Sequence, residues 1–72
     1  MLNSNAVRAV RLMYIRDLLC EEPRTIAELV HLCGVDKRTI YRDLIDLQCP
    51  PLNVPLQTDE SGRWRIIQFF DD

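Results

Sequence analysis

The sequence predicts a mainly α-helical domain closed by a small β-hairpin, and three observations carry that expectation. Apolar residues recur at helical spacing in three stretches before Cys49. After Cys49-Pro50-Pro51 the apolar period shortens to two, the spacing of a half-buried strand. Stop, turn and start signals stand between the stretches: Glu21-Glu22-Pro23, Gly34-Val35-Asp36 and Asp59-Glu60-Ser61-Gly62. The 72 residues suit a single domain over residues 1–72, because chains split into several cores only well above that length.

The first helix is expected over about residues 5–20, a stretch of good helix formers without Pro or Gly, opened by Ser4 or Asn5 as a cap. Leu12, Ile15 and Leu19 make one buried stripe at i, i+3 and i+7. Val7, Val10 and Tyr14 make a second stripe turned away from the first, and a helix apolar on two sides usually has two neighbours. Pro23 stops the helix, because it cannot donate to the ladder and keeps the residue before it out of helical angles.

Thr25-Ile26-Ala27-Glu28 has the form of a capping box, in which the Thr hydroxyl and the Glu carboxylate each satisfy an orphan backbone N–H. The helix it opens carries Ile26, Leu29, Val30 and Cys33 on one face, which leaves His31 in water. Gly34 suits the left-handed position that ends a helix, and Asp36 is a good cap for the next. Two helices joined through Gly-Val-Asp form a helix-turn-helix. In the third helix, residues 37–48, Ile40, Leu44 and Leu47 face the core, so Lys37, Arg38, Thr39, Tyr41, Arg42 and Ile45 lie outside. Two strands follow, with Val54 and Leu56 alternating with Pro55 and Gln57, and Trp64 and Ile66 with Arg63 and Arg65. This order is that of a winged helix-turn-helix, a three-helix bundle with a wing.

Composition narrows the function classes. A hydrophobic share of 47% and a charged share of 28% are ordinary for a globular chain. No apolar run approaches the roughly 18 residues of a membrane-spanning helix, and the N-terminus lacks the pattern of a secretory signal. A soluble, intracellular protein without a membrane partner is expected. Cys20, Cys33 and Cys49 are odd in number and lack Cys-x-x-Cys spacing, which points to reduced thiols packed as small apolar side chains rather than to disulfides or zinc. One His, no Gly-rich phosphate loop and a core too small for a deep cleft argue against an enzyme, a cofactor or a small-molecule ligand. The net charge of −2 counts against a nucleic-acid partner, but Lys37, Arg38 and Arg42 form an acid-free basic run, with Arg63 and Arg65 as a second group.

Arg11-Leu12-x-x-Ile15, Thr25-x-x-Glu28-Leu29 with Gly34-Val35, and Thr39-Ile40-x-Arg42-Asp43-Leu44 resemble the N-terminal domain of DeoR-type bacterial regulators. They also resemble the DNA-binding domains that precede WYL domains and, more loosely, the N-terminal domain of the bifunctional biotin ligase. Ser61-Gly62-Arg63-Trp64-Arg65-Ile66 resembles that family's turn into an aromatic-Arg-aliphatic wing strand, and the likeness spans residues 8–67. The resemblance implies a cytoplasmic, nucleoid-associated transcriptional regulator of the repressor kind that binds double-stranded DNA as a homodimer. Lys37, Arg38, Thr39, Tyr41 and Arg42 would then form the DNA face, with Arg63 and Arg65 reaching flanking backbone or a minor groove. Such regulators normally carry a ligand-sensing domain after the wing, so a chain ending at Asp72 is either a fragment or a regulator working by occupancy alone.

Each of these residues also has a plainer explanation. Arg42 could pair with Asp46 at i, i+4, and Tyr41 could pack against the wing. Arg63 and Arg65 could be solubilising strand charges beside Asp59 and Glu60, while Asp43 is expected to orient an Arg or a backbone N–H. Ile45 stands where the family pattern has a polar residue and hints at a further packing surface. The competing function is a winged-helix module for protein interaction or dimerisation without DNA binding, favoured by the acidic total and the acidic wing tip. The uncovered apolar tail, Ile67 with Phe69 and Phe70, could either fold back onto the first helix or join a dimer interface.

Overall fold

In the computed structural model, residues 4–67 are described. Helix α1 runs Ser4–Glu21, α2 Ile26–Cys33 and α3 Lys37–Gln48. Strands β1 (Arg24–Thr25), β2 (Leu56–Thr58) and β3 (Arg63–Ile66) form an antiparallel sheet in the order β1-β3-β2. A three-helix bundle with this sheet at its edge is a winged helix. The core is Ile15, Leu18 and Leu19 of α1, Leu29 of α2, and Ile40, Leu44 and Leu47 of α3. Leu12 packs against it, as expected, whereas Leu18 widens the α1 stripe beyond the three residues expected there. The α1 helix takes in Ser4 and Asn5, so its cap lies outside the described residues. At its other end Arg24 donates to the Leu18 carbonyl at 3.2 Å and to Glu21 at 3.0 Å, a cation satisfying the end of a helix.

The capping box holds in both directions: the Glu28 N–H donates to the Thr25 hydroxyl, and the Thr25 N–H donates to the Glu28 carboxylate. Gly34 adopts φ +68°, where its N–H donates to the Val30 carbonyl at 2.9 Å and ends α2. Asp36 accepts from the Thr39 N–H at 2.9 Å and starts α3.

Three expectations change. The sheet has a third strand, β1, whose Arg24 and Thr25 lie opposite Trp64 and Arg63. Two residues are too few to show an alternating pattern, and Thr25 serves the strand and the α2 cap at once. The β2 ladder begins at Leu56 rather than Val54, because the Val54 N–H donates instead to the Leu47 carbonyl at 2.8 Å and ties the loop to the end of α3. Of the thiols, only Cys33 packs against the core, and burial raises its pKa. Cys20 and Cys49 are exposed, each at the end of a helix where no neighbouring element covers it. Phe69 and Phe70 of the apolar tail lie outside the described residues.

The wing turn is organised by one carboxylate. Asp59 accepts from the Ser61 N–H at 2.9 Å, the Ser61 hydroxyl at 2.6 Å and the Arg63 N–H at 3.0 Å. Gly62, at φ +82°, supplies the left-handed residue the turn needs.

Candidate nucleic-acid interface

With Ile40, Leu44 and Leu47 buried, α3 turns Lys37, Arg38, Tyr41, Arg42, Ile45 and Gln48 to solvent. What holds the helix at that rotation is a buried acid. Asp43 is 1% exposed, and both its oxygens accept from the Arg11 guanidinium of α1, at 2.5 and 3.1 Å. The hydrogen bond to Asp43 raises the Arg11 pKa against the opposing effect of burial. A second pair, Arg8 with Asp46, also ties α1 to α3. Asp43 is therefore structural, as expected. Asp46 is turned to Arg8 rather than to Arg42, because its position on α3 faces α1.

The basic residues divide cleanly. Arg8, Arg11, Arg16 and Arg24 are each paired with a carboxylate. The other five of the chain's nine, Lys37, Arg38, Arg42, Arg63 and Arg65, have no ion pair among the described residues. These are the five placed on the interface from the sequence.

Their settings differ. Lys37, Arg38 and Arg42 lie together on the first two turns of α3. The acid beside them, Asp36, is spent on the cap: hydrogen bonds from the Thr39 side chain and backbone N–H hold its pKa below the ordinary value, with help from Arg38. Thr39 is half-buried, and its backbone N–H is engaged by the Asp36 carboxylate. Tyr41 borders a groove with Ile26, Ala27, Val30 and Lys37, so its ring lies beside α2 and not against the wing.

On β3, Trp64 and Ile66 pack against the core while Arg63 and Arg65 face out on the opposite side of the strand. Arg65 donates to Gln57 across the ladder at 3.5 Å. Arg63 lines a groove with Glu22, Pro23, Glu28 and Asp59. Glu28 and Asp59 both lie below the ordinary carboxylate range. Thr25 is the main cause for Glu28 and the Ser61 hydroxyl for Asp59, and Arg63 contributes to each. The β1 strand brings Glu22 and Glu28 to the wing, a neighbourhood invisible without knowing that Thr25 pairs with Arg63.

No group of His, Cys, Asp and Glu among the described residues has the arrangement of a metal site, and no described helix is long and apolar enough to cross a membrane. The chain matches no family model, no curated protein and no solved structure.

Proposed function

We propose that this protein is a sequence-specific, double-stranded DNA-binding transcriptional regulator that lays α3 in the major groove with the wing alongside. The observation that carries this reading is the division of the basic residues. The guanidinium and ammonium groups without an ion pair among the described residues are those of the α3 outer face and the outer face of β3. A helix about 10–12 Å across fits the major groove, and Arg presents a forked donor to phosphates or to the O6/N7 edge of guanine. The resemblance to DeoR-type domains supports the same assignment and a bacterial, nucleoid-associated setting. Selection of bound duplexes from a random pool tests it: an enriched motif is the expected outcome, and a pool left unenriched rejects the reading.

A single recognition helix contacts few base pairs, so a two-fold pair reading half-sites about 34 Å apart suits the function. Val7, Val10, Tyr14 and Leu32 form an exposed apolar patch on α1 and the end of α2 that fits the second copy. Sedimentation equilibrium at micromolar concentration should give a dimer that Val10→Glu dissociates; an 8.5 kDa species for both proteins rejects the dimer.

One observation favours the alternative of a protein-interaction module: the acidic surroundings of Arg63, which would repel phosphate. In that case duplex DNA leaves the protein unbound even at low salt.

A further inference from the structure

Ile45 is 59% exposed, as open as any large apolar side chain among the described residues, yet it sits on the charged face of α3 and not on the apolar patch of α1. It follows Arg38 by seven residues, Arg42 by three and Tyr41 by four, so all four share one outward stripe. A scattered exposed apolar side chain is unremarkable on most surfaces. Here its neighbours are two guanidinium groups without carboxylate partners among the described residues, which makes a polyanion the fitting occupant. Within the major groove the one apolar group that a base presents is the C5-methyl of thymine.

Resting on the DNA-binding reading, we infer that Ile45 is a specificity-determining residue that packs against a thymine methyl group in the site bound by α3. The spacing sets where that thymine lies. Ile45 stands about 4.5 Å further along the helix axis than Arg42, at about 1.5 Å per residue. Base pairs stack about 3.4 Å apart. The thymine is therefore within one or two base pairs of the base or phosphate that Arg42 engages. The short, β-branched side chain has no polar atom, so it cannot accept the donors of cytosine or adenine at that position and favours the methyl.

The test uses the duplex enriched from the random pool, with each thymine in turn replaced by deoxyuridine, which removes the methyl and leaves the pairing edge intact. One replacement is expected to weaken binding by the wild-type chain about fourfold, the worth of one buried methyl group. Ile45→Ala should bind the thymine and deoxyuridine duplexes equally, and Ile45→Val should keep most of the discrimination. Because Ile45 is exposed, all three proteins should show the same thermal unfolding, and the wild-type comparison needs no variant at all. Binding that is indifferent to every replacement overturns the assignment while leaving DNA binding intact, as does discrimination that survives in Ile45→Ala. Failure to bind any duplex overturns both.

Discussion

The outer faces of α3 and of the wing carry the same kind of side chain in opposite surroundings. On α3, Lys37, Arg38 and Arg42 face solvent, and the acid nearest to them is consumed by the helix cap. On the wing, Arg63 shares its groove with Glu22, Glu28 and Asp59, and Glu60 follows at the tip. A guanidinium beside carboxylates is already partly neutralised and offers a phosphate less than one without them. The net charge of −2 therefore conceals a positive helix and a nearly balanced wing. Affinity for a polyanion should come from the helix, with the wing positioning the domain weakly.

The largest effect should come from the residue that gives α3 its rotation. Asp43→Asn leaves the Arg11 guanidinium without its counter-charge at a site where Asp43 was fully buried. The expected cost is about 3 kcal/mol, the lower end for breaking a buried pair because Arg11 keeps some contact with water. Urea unfolding measures it, and a loss below about 0.5 kcal/mol would mean that apolar packing alone orients the helix.

The next effect divides the two faces. Arg42→Ala should weaken duplex binding by about 1–3 kcal/mol and relax preference at one position of the site. Arg63→Ala should weaken all sequences alike and by less. Equal, sequence-independent losses in both variants would show that the helix positions the domain without reading bases.

The smallest effect concerns the wing turn. Asp59 has a folded-state pKa below its ordinary value of 3.8, mainly through the Ser61 hydroxyl and the Arg63 N–H. A group depressed in the folded state contributes its stability above the unfolded pKa and loses it as the pH falls through the folded one. The turn should therefore loosen only in acid, from about pH 3.8 downwards. Trp64, the one tryptophan and a β3 residue, reports this by fluorescence. Asp59→Asn should remove that acid-dependent step, leaving those of Glu28 and Asp36. An unchanged acid profile would place the effect elsewhere.

Much of this architecture is local chemistry and was legible in the chain. Thr25 with Glu28, Gly34 and Asp36 mark the ends of α2 and the start of α3 through contacts three or four residues long, which a sequence displays directly. The hairpin is equally local, since Asp59 and Gly62 build the turn from their own neighbours. What stayed hidden depends on distance along the chain. Arg11 and Asp43 are 32 residues apart, and helical spacing alone does not pair Arg11, rather than another arginine of α1, with Asp43. Asp46 was set against Arg42 by helical spacing, whereas packing delivers Arg8 to it from another helix. The β1 pairing likewise joins residues far apart in the chain, and with it come the acids that surround Arg63. The basic residues of the candidate site were thus identifiable by type and position, but their electrostatic inequality was not.

The most direct test of that inequality is the salt dependence of duplex binding. If the five unpaired cations neutralise about three to five phosphates per protomer, log K should fall against log salt with a slope of about −2.7 to −4.5. The triple variant Lys37→Ala, Arg38→Ala, Arg42→Ala should reduce the slope by about 2 to 3, and the double variant Arg63→Ala, Arg65→Ala by about 1 or less. Equal reductions in the two variants, or no detectable binding of the wild-type protein at about 50 mM salt, would contradict the account.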